Sequence, residues 1–520
     1  TAATISVTVD GQINPATNNG DGTWTLADGT LTALDEGTFD VAVTATDVAG
    51  NAASDGTSDE LTVNTGLLLI EAAVFAAANG PVLVILDGTG TVIQITDDQG
   101  TQLQASRAVI DTDAIEAEGR DGENDRLIIS VAAVGSADTV LFSGGTGADT
   151  LSIGVDDSET VSLFDLDLTA ITGGTIDVGT GDITFSEVET VDTTGLASIT
   201  SHDVQYSSSD DQIVITNLGL SDGNFSYTTD ALGTFVLDSG AGDDNVVASS
   251  VTTPLTLDGG DGDDLLRGGK AADTLGGGGG ADTLNGRAGD DSLVGGPGDD
   301  VLQGGSGVDE LLGGDGNDVL RGHGGTTNVL NGGDGIDTVF ASGDKDFTLS
   351  NTSLTHDSTI NTLIDVEGGN LRGGASPNIM DARTFTGQVT LVGLQGADSL
   401  VGTEQDDLLI GKQGEDTLIG LGGDDRLEGG DGDDAIDGGS GDDHVNGNYG
   451  KDTLLGFGGN DTLFGGGGAD VVLGGDDDDR VFGNGNADTL AGNGGTNLII
   501  GDPAEIDENF TANFDWIDSV

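Results

Sequence analysis

GLQGADSLV GTEQDDLLI GKQGEDTLI GLGGDDRLE GGDGDDAID GGSGDDHVN GNYGKDTLL GFGGNDTLF GGGGADVVL GGDDDDRVF GNGNADTLA GNGGTNLII, residues 393–500, divides into twelve consecutive nonamers without a gap. In this frame the sixth position reads Asp398, Asp407, Asp416, Asp425, Asp434, Asp443, Asp452, Asp461, Asp470, Asp479, Asp488 and Asn497. The eighth position reads Leu400, Leu409, Leu418, Leu427, Ile436, Val445, Leu454, Leu463, Val472, Val481, Leu490 and Ile499, all aliphatic. A second tract, 259–340, holds nine repeats with Asp264, Asp273, Asp282, Asp291, Asp300, Asp309, Asp318 and Asp337 at position six and Asn328 in the remaining one. The repeat that starts at Gly322 is one residue too long, which predicts a small bulge in the coil.

Such a nonamer has a definite physical reading. Glycines at positions one, two and four permit left-handed backbone angles, so the first six residues are expected to form a tight turn. The last three are expected to form a very short strand whose central aliphatic side chain points inward. Two nonamers then make one coil, with two strands back to back and two turns at its edges. One buried side chain per nine residues is a thin core, too thin to hold the chain folded alone. Stacked turns also set each Asp over the next, about 4.8 Å apart. Carboxylates that close repel, and a hard dication between turns reverses the sign of that interaction. Ca2+ takes about six to eight oxygen ligands, which carboxylates and turn carbonyls supply, whereas Mg2+ demands stricter geometry. Zinc and copper favour His or Cys, which the position-six ladder does not offer.

Composition agrees. The chain has 520 residues with 92 Asp and Glu against 14 Lys and Arg, a formal charge of −78, and 93 glycines. Cations are the natural counter-charge, and nucleic acid is a poor partner. There is no cysteine, so no disulfide can staple the fold and bound metal is the alternative cross-link. No apolar stretch is long enough for a transmembrane segment; the longest, 67–78, is broken by Glu71. The first residue, Thr1, is neither an initiator Met nor part of a signal peptide, so the expectation is a processed chain or part of a longer product.

The repeats resemble the GGxGxDxUx nonapeptides of the RTX (repeat-in-toxin) family. The resemblance implies a parallel β-roll in which the position-six aspartates and turn carbonyls bind calcium between coils, and folding that awaits export. Carried over residue by residue, the implied ligands are the nineteen position-six aspartates named above, with on the order of fifteen Ca2+ ions. Asn328 and Asn497 replace Asp, and GTEQDDLLI and GLGGDDRLE lack a usual glycine, so weak or empty sites are expected there.

Outside the tracts the pattern loosens. Residues 66–258 carry short Val, Ile and Thr runs (VLVILDG, DQIVITNLG, GTFVLDSGAGDDNVV) between Gly/Asp turns, with isolated repeat-like nonamers such as GGTGADTLS at 144–152. They read as an irregular β-rich solenoid, the alternative being one or two β-sandwich modules. The spacer 341–392 keeps fragments such as GGASPNIMDA. In 1–65, alternation in Ile5-Ser6-Val7-Thr8-Val9 and the stretch EGTFDVAVTATDVAGNAA (36–53) resemble bacterial Ig-like domains, here incomplete. Residues 503–520, with Phe510, Phe514 and Trp516, read as a cap or the start of another domain.

The expected fold is therefore all-β: a truncated Ig-like sandwich (1–65), the irregular region (66–258), a β-roll (259–340), a β-rich spacer (341–392), a second β-roll (393–502) and a C-terminal segment (503–520). No catalytic motif is present: neither HExxH, nor GxSxG, nor a Walker or dinucleotide loop. GGGGG at 276–280 belongs to the repeat, and His444 at position seven reads as a surface residue. The expected function is non-enzymatic: a secreted, extracellular or cell-surface structural or adhesive protein, in a surface layer, fibre or adhesin. Its partners would be calcium and either further copies of the chain or other surface proteins. The alternative is the non-catalytic RTX portion of a secreted enzyme or toxin.

Overall fold

The structure, a computed structural model, describes the chain continuously from residue 234 to 501 apart from 324–326 and 358. Upstream it describes separate strands, with side chains placed at only some positions. Among the described residues there is no helix, hence none long and apolar enough to cross a membrane. The chain divides into two compact units, Thr1–Phe164 with Thr172–Ser198, and Asp165–Ile171 with Ile199–Val520.

In the first unit, Gln12–Pro15, Thr4–Val9, Val41–Thr46 and Ala52–Gly56 form an antiparallel sheet in that order. Thr17–Asn18 with Trp24–Thr25, and Gly37–Phe39 with Leu61–Val63, form two further antiparallel pairs, and the side-chain packing of the expected Ig-like sandwich lies outside the described residues. Farther along, Leu67–Ile70, Ala114–Glu118, Thr139–Ser143 and Asp182–Ser186 pair in parallel. A second parallel ladder joins Arg126–Ile129, Thr150–Ile153 and Thr190–Asp192. Ile115, Leu127, Val140, Leu151 and Val191 are fully buried. Parallel pairing of successive segments is solenoid architecture, since sandwich strands pair mostly antiparallel.

The second unit is a parallel β-solenoid, and the eighteen-residue coil sets its register. On one face Leu275 lies over Leu257 and Leu293 over Leu275; on the other, Leu284 lies over Leu266 and Leu302 over Leu284. The second tract repeats this, with Leu418 over Leu400 and Leu427 over Leu409. The position-eight side chains have zero exposure from Leu266 to Leu490, forming two facing ladders.

Two details differ from expectation. Most repeat strands span six residues rather than three, as in Thr274–Gly279 and Ala435–Ser440. They continue through positions one to three because residues there still pair with the coil below, as Gly260 with Gly278 and Asp261 with Gly279. The turn proper is confined to positions four to six. The left-handed angles fall at positions two and four, as in Gly260 (φ +100°) and Gly262 (φ +137°), and not at position one. Position two keeps that angle without glycine, at Lys412, Leu421 and Phe457.

The long repeat at Gly322 shifts the register from eighteen to nineteen residues, pairing Leu311 with Leu330 and Leu320 with Val339. The strands on either side pair without a bulge, so the extra residue falls in the turn, part of which (324–326) lies outside the described residues. The solenoid continues through 341–392. Leu330 pairs with Leu363 and Val339 with Gly369, while Phe347–Ser350 and Ser353–His356 form an inserted antiparallel hairpin. The expected C-terminal cap at 503–520 lies outside the described residues.

Since each coil contacts only its neighbours, core damage should act locally. Leu454→Ala in the calcium-loaded protein is expected to cost about 2–5 kcal/mol. Amide hydrogen exchange should show this as lost protection around 436–472, whereas Val294→Ala, on an outward position, should change little.

Candidate metal centres

The two rows of turns place the position-six residues in columns, one along each edge of the solenoid. All nineteen aspartates are at most 5% exposed. One carboxylate oxygen of each, Oδ1, accepts a backbone N–H from a residue in the preceding coil. Asp264 N–H donates to Asp282 at 2.8 Å, Asp282 to Asp300 at 2.7 Å and Asp300 to Asp318 at 2.8 Å. In the second tract Asp416 donates to Asp434, Asp434 to Asp452 and Asp452 to Asp470, at 2.8–2.9 Å. Asn328 and Asn497 accept the same bond from Asp309 and Asp479. The neutral amide thus performs the ladder role and lacks only the charge.

The other oxygen is the informative one. Oδ2 of Asp264, Asp282, Asp291, Asp300, Asp309, Asp318 and Asp337 is buried without a hydrogen-bond partner. The same holds for Asp398, Asp416, Asp425, Asp434, Asp443, Asp452, Asp461, Asp470, Asp479 and Asp488. A buried oxygen left this way costs about 1–3 kcal/mol, more if charged. Each points into the space beside the position-one glycine of its own nonamer. A Cβ on Gly277 would collide with Asp282 Oδ2 and approach the Gly295 carbonyl to 2.7 Å; on Gly411 it would collide with Asp416 Oδ2 and meet the Gly429 carbonyl at 2.7 Å. Position one is therefore glycine to keep an oxygen-lined cradle open, not to permit a backbone angle.

An all-oxygen cradle formed by a bare carboxylate oxygen and a carbonyl of the next coil fits a hard divalent cation. No group of three or more His, Cys, Asp or Glu side chains converges among the described residues, so backbone carbonyls have to complete each coordination shell. At Gly322 and Gly492 the atom facing the cradle is instead an amide nitrogen, of Asn328 and Asn497, which does not suit a cation.

Three aspartates and one asparagine stand apart. Gly269 N–H donates to Asp273 Oδ2 at 2.6 Å, and Thr403 N–H donates to Asp407 Oδ2 at 2.6 Å with its hydroxyl 3.1 Å away. Both belong to nonamers without glycine at position four (Ala271, Gln405). GLGGDDRLE differs: Leu421 takes the left-handed angle, and Asp425 Oδ2 stays unpartnered. Gly374 N–H donates to Asn378 Oδ1 at 2.7 Å. At Asp244 the position-one residue is Ser239, whose hydroxyl donates to the Gly259 carbonyl at 3.0 Å.

Sequence reasoning missed Asp244, Asn361, Asn378 and Glu367, which extend the columns beyond the strict register. It also missed position five. There an exposed second ladder runs with opposite polarity, the side chain reaching forward: Asp424 N–H to Asp406, Asp442 N–H to Asp424, Asn460 N–H to Asp442. Aspartate at position five in successive coils was the available signal.

Burial, reinforced by neighbouring carboxylates, drives many of the ladder acids upward. Asp425 is raised to about 8, with Asp282, Asp434 and Asp443 at about 7. Asp318, Asp337 and Asp479 lie at about 6.

Against known families, the RTX calcium-binding nonapeptide repeat (4 copies) matches eight segments that together span 256–348 and 390–503. The chain thus carries RTX repeats, which mark it as calcium-binding. No curated protein matches it. Among solved structures, the Family 28 exopolygalacturonase of Yersinia enterocolitica is similar at 10% identity over 97% of this chain and 92% of that one. Its TM-score of 0.12 establishes no shared fold.

The raised acids set the pH dependence of the cation-free chain. Their folded values exceed the unfolded value of about 3.9, so the folded state holds more protons between about pH 4 and 8 and its stability falls as pH rises through that window. In chelator, β-type circular dichroism should therefore be stronger at pH 5 than at pH 8.5. Calcium should reverse the ranking, since protons compete with it for the same oxygens.

Proposed function

We propose that this chain is an extracellular calcium-binding structural or adhesive protein whose two β-rolls fold and stiffen when Ca2+ fills the cradles between stacked turns. The observation that carries the reading is the run of buried Oδ2 atoms with no hydrogen-bond partner, each beside a position-one glycine. The proposed ligands are those aspartates together with the position-one carbonyls of the next coil. Asp273 and Asp407, whose Oδ2 atoms already accept backbone N–H groups, are left out as ligands. On the order of fifteen ions remains the expected load. The cations neutralise the inner columns of a chain with a formal charge of −78, and bind the coils into a stiff rod. Such a rod suits a spacing or bridging role in a surface layer, fibre or adhesin, with further copies of the chain or other surface proteins as partners.

Chelation should abolish the β-type circular dichroism of 255–502 at neutral pH, and added calcium should restore it cooperatively; indifference to chelator would overturn the reading. Calcium counting tests the ligand set. Asp434→Asn together with Asp452→Asn should lower the bound-ion number, whereas Asp407→Asn should leave it unchanged. Imaging of calcium-replete material tests the structural role: an ordered lattice or fibre supports it, and isolated monomers at all concentrations count against it.

A further inference from the structure

The first tract ends at Asp337, and the coil above it is not a nonamer. The chain leaves through Thr338–Ser342, makes the inserted hairpin, and returns through Thr359–Ile364. Yet the arrangement around Asp337 keeps the form of a repeat turn. At Gly313 the cradle is lined by Asp318 Oδ2 and the Gly332 carbonyl; at Gly332 it is lined by Asp337 Oδ2 and the Asp365 carbonyl. The second oxygen thus comes from the far side of the hairpin. Asp337 is fully buried, and its Oδ2 has no hydrogen-bond partner.

Glu367 takes the part of the missing ladder acid. Its Oε2 accepts the Asp337 N–H at 3.0 Å. The Asp337 carbonyl in turn accepts the N–H groups of Glu367 (3.0 Å) and Gly368 (2.8 Å), which pins the returning strand at this point. Asp365 adopts a left-handed angle, φ +45°, in the turn that brings its carbonyl in. Among the described residues, none of Asp337, Asp365 and Glu367 forms an ion pair with a Lys or Arg. A bare carboxylate oxygen and a carbonyl therefore meet beside Gly332, and the like charge of Glu367 lies one hydrogen bond from Asp337 with no Lys or Arg among the described residues to balance it.

We propose that Asp337, Glu367 and the Asp365 carbonyl form a calcium site outside the nonapeptide register, clamping the inserted hairpin onto the end of the first roll. The proposal rests on the calcium reading of the repeats and goes beyond it, since Glu367 and Asp365 belong to no repeat. Oxygen-only donors specify a hard divalent ion, and the exposed Glu367 leaves the site open to solvent on one side. The ion would offset the like charge of Asp337 and Glu367 and hold a junction that the leucine ladder alone secures weakly.

The test uses the full chain, stripped with chelator and titrated with calcium chloride, with bound ions counted by equilibrium dialysis. Glu367→Gln keeps an oxygen for the Asp337 N–H but removes the charge; on an exposed residue it should leave the calcium-loaded circular dichroism intact. It should weaken one ion roughly tenfold or more and leave the others unchanged. Asp337→Asn should lose that ion, and Asp443→Asn should lose one in the second tract. If Glu367→Gln titrates like the parent while Asp443→Asn loses an ion, the junction site is refuted and the repeat reading stands. If Asp443→Asn also binds the full number, the calcium reading falls and the junction site with it.

Discussion

A carboxylate with one oxygen satisfied and the other facing no donor is the interaction on which this molecule depends. The satisfied oxygen makes the column of turns rigid, because each N–H to Oδ1 bond ties a coil to its neighbour, as from Asp434 to Asp452. The unsatisfied oxygen makes the column conditional. Burial of like charges at strand spacing is unfavourable, and the cation-free fold relieves it only by holding protons, which is why Asp425 is driven to about 8. A divalent ion relieves it without protonation and adds a cross-link. The same oxygens that destabilise the empty form therefore stabilise the loaded one.

The rest of the repeat follows from this arrangement. Position one must lack a Cβ because the cradle occupies that volume, as Gly277 and Gly411 show. Position four helps aim Oδ2 inward, though Asp477 and Asn486 stand there before Asp479 and Asp488, whose Oδ2 atoms stay bare. Where it is Ala271 or Gln405, the position-two N–H reaches the carboxylate instead. Position eight supplies a core one residue wide, enough to align coils whose cohesion comes largely from the edges. Aromatic residues are scarce because a gap this narrow between two sheets is filled by Leu, Ile and Val. The exposed position-five ladder adds hydrogen bonds without desolvation, since its carboxylates remain in water.

Periodicity made the two tracts legible. An aliphatic at every eighth position and an acid at every sixth imply the parallel coil, the inward ladder of Leu400 to Leu490 and the stacking of the aspartates from the residues alone. Period alone does not say which oxygen of Asp434 is bonded, so the role of the position-one glycine was misassigned to backbone freedom. Strand length was underestimated because glycines at positions one to three look like turn residues, yet their N–H and C=O groups pair across coils as well as any others. Glu367 and Asp365 were invisible for another reason. They meet Asp337 across an inserted hairpin, at a separation no repeat register encodes.

The ends of the columns show how a metal-dependent stack can begin and stop. Three of the four columns start on a turn that the protein satisfies by itself: Gly269 on Asp273, Gly374 on Asn378 and Thr403 on Asp407. Two finish on a neutral amide, Asn328 followed by Asn361 in one and Asn497 in the other. A third finishes at Asp337 and Glu367, and the fourth at Asp488. At these first coils the carbonyl of the next coil is in place, Gly286 beside Asp273 and Gly420 beside Asp407, so the cradle is closed by the N–H on Oδ2 and not by a missing oxygen. Backbone N–H and hydroxyl donors thus give these three columns a floor that holds without metal. An amide at the far end removes the final unpaired charge while keeping the ladder bond. Where the last residue stays an acid, as at Asp337 and Asp488, the bare oxygen and with it the demand for a cation reach the end of the column.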